Sequence, residues 1–297
     1  MSANRSNGNQ HSPTAATVAG QKRRRSSWPL ITLASLFIIA PFLTWYGTWF
    51  GRHLSDAEIS EYLSDEKKPR HIQHALSQIE ERMVKGDAGA KRWYPQIIAL
   101  GNSSVTEFRK TSAYLMGYDN KSEEFHAALI RLLEDSQPGV RRQAALSLVT
   151  FGDTRGRGEL RAMLEPYTIT ASIDGLTGSV VSEGSAVREG TLMARIFRET
   201  GGEATVEVRS PLPGRIKSVA AHEGARVRAG DALFVIAPDS QFVWEALRAL
   251  SLIGEREDLP LVERYASGAE AVPEQVKQQA NQTARAIHAR IEKADAH

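Results

Sequence analysis

The chain has 297 residues, with 37 basic and 35 acidic side chains, 41% hydrophobic residues and no cysteine. These totals describe a folded chain of about two domains and exclude collagen-like, wholly disordered and multi-span membrane proteins. Without cysteine there is no disulfide framework, thiolate metal site or cysteine nucleophile. Arg5, Lys22, Arg23, Arg24 and Arg25 precede residue 28 with no acid among them, leaving 32 basic against 35 acidic side chains beyond it, so no general basic field for nucleic acid exists.

Residues 1–27, rich in Ser, Asn, Gly and Thr, bury too little apolar surface to fold and read as a disordered basic tail on the cytoplasmic side. Residues 28–50, WPLITLASLFIIAPFLTWYGTWF, carry no charge and at about 1.5 Å per residue reach roughly 34 Å, the length of a bilayer core. We therefore expect a single transmembrane helix with Trp28 at one interface and Trp45, Tyr46, Trp49 and Phe50 at the other, kinked at Pro41. A cleaved signal peptide has the same layout, but bulky aromatics stand where small residues should mark a cleavage site. The basic cluster before the span places the N-terminus inside and all later residues outside, as in a bacterial inner-membrane protein with an extracytoplasmic body.

Residues 51–164 predict short amphipathic helices, with start signals at Ser55-Asp56, Ser103 and Ser122 and a breaker at Pro138. A unit recurs: Val105 to Gly117, Val140 to Gly152 and Phe242 to Gly254, with a weaker copy from Val276 that has His288 in place of the glycine. Each glycine is expected to supply the left-handed stop that turns the chain into a second helix, striped by Leu160 with Leu164 and Val262 with Ala266. Starts at 105, 140, 242 and 276 fit a helix-pair repeat interrupted once. Val140, Arg141, Ala144, Ala145, Gly152 and Asp153 in PGVRRQAALSLVTFGD give this region a resemblance to HEAT repeats, from which Arg109 and Lys110 of the first copy depart.

The interruption, residues 165–239, turns to Val, Thr, Ile and Gly with two-residue alternation at Thr205-Val206-Glu207-Val208, which predicts β structure. Two halves match: Glu183-Gly184 through Val187 to Gly190, and Glu223-Gly224 through Val227 to Gly230, with Ile196 answering Ile236 and with Gly178 and Gly214 opening the halves. The segment resembles the biotinyl/lipoyl domain, or barrel-sandwich hybrid, also present in periplasmic adaptor (membrane fusion) proteins. In a cofactor carrier of that kind a lysine would precede Ala204-Thr205. This chain has Glu203 there, and the segment's one lysine, Lys217, lies on another strand, so no cofactor is expected. Fewer than twenty residues separate Ile196 from Ser210, too few for the coiled-coil hairpin of the adaptors.

No Walker loop, G-x-S-x-G, HExxH or calcium loop occurs, and no catalytic residue is nominated. His71 and His74, three apart on a helix, suit either a metal or a solvated face beside Lys67, Lys68 and Arg70. Arg141 with Arg142, and Arg155 with Arg157, suit an acidic partner or an exposed edge. Arg92-Trp93-Tyr94 reads as a partner anchor or as a packed turn at Pro95, and Glu199 to Glu203 as a docking tip or a polar turn. The expected whole is α+β and multidomain: an N-terminal transmembrane helix, a HEAT-like solenoid over 51–164, an inserted all-β barrel-sandwich hybrid over 165–239, and the solenoid resumed over 240–297. The expected role is non-catalytic, a scaffold or adaptor for other envelope proteins such as a transporter, with a lipoyl- or biotin-type carrier or accessory enzyme subunit as the alternative.

Overall fold

A computed structural model describes residues 28–45, 52–198 and 205–296. The chain divides into two units, Met1–His53 and Leu54–His297. In the first, helix α1 (Trp28–Trp45) has 18 residues with Pro41 inside it and exposes Leu33, Leu36, Phe37, Ile38, Ile39 and Phe42. At about 1.5 Å per residue it measures roughly 27 Å, short of the ~30 Å hydrocarbon core. Among the described residues no helix is long and apolar enough to cross a membrane, which corrects the expectation of a transmembrane helix over 28–50. The aromatic end of that stretch, Tyr46 to Phe50, lies outside the described residues.

The second unit begins with helices α2 (Asp56–Leu63) and α3 (Pro69–Val84), a 3-10 turn (Ala88–Trp93) and α4 (Tyr94–Leu100). There follow α5 (Thr106–Met116), α6 (Glu123–Leu132), α7 (Pro138–Leu148) and α8 (Arg157–Ala162). Ser55 starts α2 through a capping box, its hydroxyl accepting from the Glu58 amide at 3.3 Å while the Glu58 carboxylate accepts from the Ser55 amide at 2.8 Å. Ser122 caps α6 singly, its hydroxyl accepting from the Phe125 amide at 3.3 Å. Pro138 does not break a helix: it occupies the first turn of α7, where a missing N–H goes unnoticed.

After the β insert come α9 (Ser240–Ile253), α10 (Leu259–Ala266) and α11 (Glu274–Asp295). Helices α5, α7, α9 and α11 lie side by side, with α6, α8 and α10 backing them. Helix α7 divides two apolar cores. Ala144 and Leu148 join the core of Leu76, Ile97, Phe108 and Leu129, whereas Ala145 faces the core of Leu160, Leu247, Val262 and Ile287.

The insert holds β1 (Tyr167–Thr170), β2 (Gly175–Thr177), β3 (Ala186–Val187), β4 (Leu192–Phe197), β5 (Thr205–Arg209), β6 (Gly214–Val219), β7 (Arg226–Val227) and β8 (Ala232–Pro238). They form two four-stranded antiparallel sheets, ordered β1-β8-β6-β3 and β5-β4-β2-β7, around a core of Ile169, Met193, Ile196, Ile216, Phe234 and Ile236. The expected barrel-sandwich hybrid is thereby corrected: the fold is α+β with two small separate sheets and no closed barrel. The strands β3 and β7 are two residues long, and among the described residues no strand pair joins one sheet to the other.

The two halves exchange strands and turns, so neither sheet belongs to one half. Gly184 donates its amide to Ile216 O at 2.8 Å and Gly224 to Thr177 O at 2.7 Å; Gly190 donates to Ser210 O at 2.7 Å and Gly230 to Ala171 O at 2.8 Å. All four glycines have φ between 79° and 93°, the left-handed region. The structural counterpart of Gly214 is Gly175, not Gly178: a Cβ on either would lie 2.3 Å from a carbonyl oxygen, of Ala237 or of Phe197.

Candidate functional site: a groove across three helices

The repeat aligns differently in space than in sequence. Phe108-Arg109, not Val105, occupies the place of Val140-Arg141, because Phe108 and Val140 are both buried while Val105 is an exposed N-cap. Arg109 and Arg141 then perform one task. Arg109 Nη1 donates to Ser103 O at 2.9 Å and its Nε to Asp135 at 2.6 Å; Arg141 Nη1 donates to Asp135 O at 2.8 Å and its Nε to Glu159 at 2.7 Å. Each arginine ties the loop before its helix to a carboxylate further along the chain, Asp135 in the α6–α7 loop for Arg109 and Glu159 on α8 for Arg141, so Arg109 conforms to the pattern. Burial pulls against ionisation of Asp135, but hydrogen bonds from Arg109 and the Gln137 amide hold its carboxyl below the usual range.

The glycines also behave differently from one another. Gly152 has φ 70° and is the left-handed stop expected, but Gly117 and Gly254 have φ −67° and −66°. They are glycine for room: a Cβ on Gly117 would stand 2.9 Å from Ser147 Oγ, and one on Gly254 2.9 Å from Ile287 Cδ1. Close approach lets a hydroxyl on one helix reach its neighbour's backbone. Ser147 Oγ donates to Ala113 O at 2.7 Å, and Thr283 Oγ1 to Leu247 O at 2.8 Å.

In this register Tyr114, Leu146 and Arg248 hold one position on α5, α7 and α9, and Tyr118, Thr150 and Leu252 hold the position one turn on. These residues, with Gln143, Trp244 and Glu245, line a cleft of about 490 Å³. Exposed large apolar side chains of this unit are Val84, Val105, Tyr114, Tyr118, Leu176, Phe197 and Leu252, and three of them gather in the cleft. At one end the Tyr114 and Tyr118 hydroxyls lie 2.5 Å apart and 3.0 and 3.3 Å from Glu80 Oε1, so one hydroxyl donates to the carboxylate and the other to its neighbour. The Tyr118 hydroxyl, then burial and Glu80, push the Tyr114 phenol above its ordinary range, so it stays protonated. At the other end the Arg248 guanidinium lies 5.7 Å from the Trp244 ring centroid. Trp, Tyr and Arg beside apolar surface are the residues that dominate protein contact sites.

The residues singled out from sequence lie elsewhere. Trp93 is fully buried, its indole donating to Ser60 Oγ at 3.0 Å with Arg82 and Arg92 over the ring, and Arg92 pairs with Asp56, so the triplet is a packed turn. Tyr94 is buried and donates to Asp119 at 2.9 Å. Arg142 is buried, donating to Ala162 O at 3.2 Å with Tyr167 beside it, and burial lowers its pKa. Arg155 grips Asp153, and Arg157 pairs with Glu255. His71 stacks on Tyr62 and approaches Asp65 at 3.0 Å while His74 pairs with Gln78, so the two do not converge. Among the described residues no group of three or more His, Cys, Asp or Glu is placed to hold a metal. Glu199 and Glu203 lie outside the described residues.

Comparison with protein-family models returns no match for this chain, and comparison with curated proteins returns none.

Proposed function

We propose that this protein is a non-catalytic scaffold that holds a segment of another envelope protein in the groove of α5, α7 and α9. The observation that carries the reading is the gathering in one cleft of Tyr114 and Tyr118 from α5 and its end, Leu146 from α7, and Trp244, Arg248 and exposed Leu252 from α9. Adjacent helix pairs present side chains in register, which suits a partner segment laid across them. The β insert supports a two-module adaptor, since a second surface on the same chain raises the effective concentration of a second partner. Glu203, where a carrier would need a lysine, argues against a carrier role. The uncharged side chains exposed on α1 and the basic residues Lys22 to Arg25 support a location beside a membrane.

The test is site-specific photocrosslinking in cells, with the photoreactive residue in place of Leu252 in the groove or of Glu124 on the opposite helix row. A discrete crosslinked partner from position 252 and none from 124 is the expected result. Equal patterns at both positions, or none at either, overturn the reading.

A further inference from the structure

Arg248 is the unmatched charge of the groove. Its guanidinium lies 5.7 Å from the Trp244 ring centroid, and among the described residues it makes neither an ion pair nor a side-chain hydrogen bond. The neighbouring carboxylate is committed elsewhere, since Glu245 Oε1 accepts from Gln241 Nε2 at 2.9 Å. At the far end Glu80 lies within hydrogen-bond reach of the hydrogen-bonded Tyr114–Tyr118 pair. On α5 and α7 the position of Arg248 is filled by Tyr114 and Leu146, so the cation is confined to the α9 end of a mostly apolar floor that also holds Gln143, Thr150 and Glu245.

A segment that covered this floor would remove Arg248 from water. Doing so without an anion leaves a buried unpaired charge, so a neutral or basic occupant is disfavoured and an acidic one favoured. A guanidinium offers a forked pair of N–H donors that a carboxylate can engage bidentately, and the Trp244 ring 5.7 Å away leaves Arg248 exposed for it. We propose that the occupant is an acidic amphipathic peptide segment of a partner protein, with a carboxylate on Arg248 and its apolar side chains over Leu146, Tyr118 and Leu252. This deepens the scaffold reading of the same groove and rests on it. Spanning three neighbouring helices, about 18 Å at 8–10 Å per step, takes roughly 12 residues of helix or half as many extended.

The experiment is selection of a random peptide library of roughly that length on the immobilised full chain. Binding of the enriched peptides is then measured on wild type, Arg248→Gln, Arg248→Lys, Leu252→Ser and, as control, Glu124→Gln. Expected are peptides joining Asp or Glu to Leu, Phe or Trp, with affinity lowered about tenfold or more by Arg248→Gln, partly kept by Arg248→Lys, lowered by Leu252→Ser and unchanged by Glu124→Gln. Enrichment of no peptide, or of peptides without acids, overturns the proposal, and so does indifference to Arg248→Gln. If Leu252→Ser still weakens binding in that case, the groove survives as a binding surface and only the acidic occupant falls; if it does not, both fall. Sedimentation of the chain alone supplies a further arm, since a dimer dispersed by Arg248→Gln would make a second copy the occupant and overturn a separate partner.

Discussion

The Tyr265 hydroxyl donates to the carbonyl of Leu164 at 2.7 Å, although 101 residues separate them in the chain. Arg264 Nη2 reaches the same oxygen at 2.8 Å, and Arg161 Nη1 donates to Glu257 O and Asp258, both at 2.9 Å. Helix α8, just before the β insert, is thus bonded to the segment that follows α9, and Leu160, Leu164, Leu247 and Val262 share one core. The insert leaves and rejoins this stack through adjacent strands, with Tyr167 opposite Ile236, Cα atoms about 5 Å apart in such a pair. The helices therefore pack as they would without it.

Replacing residues 167–238 by a short Gly/Ser linker should leave the helical stack folded. Asp239 must be kept, because its carboxylate accepts from the Gln241 amide at 2.8 Å and starts α9. The deletion forfeits the Lys110–Glu189 pair at 2.9 Å and the Arg142–Tyr167 contact, so we expect a Tm within about 5 °C of the full chain. Calorimetry and helical circular dichroism read the result; loss of the cooperative transition would refute the splice.

Within the insert, glycines divide by reason. Gly214→Ala drives a Cβ to 2.3 Å from Ala237 O, a backbone atom that cannot swing away, and should destabilise by about 3 kcal/mol or more. Gly224 has φ 79° and open space around its missing Cβ, so Gly224→Asn should cost only about 1 kcal/mol. Urea unfolding of the full chain, with hydrogen exchange on β4 and β8 to locate the effect, separates the two. Equal losses would remove the distinction.

Sequence carried the internal symmetry of the insert well, because the backbone takes positive φ at Gly184, Gly190, Gly224 and Gly230, and glycine recurs at those matching places in both halves. It misplaced the first helical copy by one turn. Matching Gly117 to Gly152 aligned two glycines present for different reasons, room against Ser147 in one and a left-handed φ in the other. Matching the loop-tying arginines Arg109 and Arg141 would have found the right register. The groove stayed hidden for the same cause: Tyr114, Leu146 and Arg248 share a position but no chemistry, and only the corrected register lines them up. Trp93 was legible as important, though burial beneath Arg82 and Arg92 makes it a core residue and not a surface one.

Acid should act on the two halves of the stack with opposite sign. Hydrogen bonds from Arg155, then from His126, hold the Asp153 carboxyl far below its ordinary value of 3.8 against the opposing effect of burial. The unfolded chain then takes up the proton first, so the stability Asp153 contributes is complete above that ordinary value and is lost as pH falls through the lower folded one. Burial raises the Asp258 carboxyl despite Arg157 and Arg161, so its folded form binds the proton first and the fold gains as pH drops below that raised value. Thermal melts from neutral pH down to about pH 2 should show the acid limb shallower in Asp153→Asn and steeper in Asp258→Asn than in wild type. Parallel limbs in all three would disprove the assignment.

Trp93 and Leu252 provide the sharpest contrast between holding the fold and using it. Trp93 is fully buried with its indole bonded to Ser60, whereas Leu252 is 64% exposed at the lip of the groove. Trp93→Ala opens a large cavity, removes the donor to the Ser60 hydroxyl and uncovers two arginines, which should cost about 3–5 kcal/mol. Leu252→Ser removes apolar surface that water already reaches, so its effect on stability should stay within about 0.5 kcal/mol. Partner binding should respond in the reverse order once stability is accounted for. The folded fraction of Trp93→Ala should bind with wild-type affinity, because its side chain lies outside the groove, while Leu252→Ser should weaken binding about tenfold at unchanged Tm. Urea titration and a binding isotherm on each variant decide the matter, and a Leu252→Ser protein that melts early but binds normally would reverse the roles assigned to the two residues.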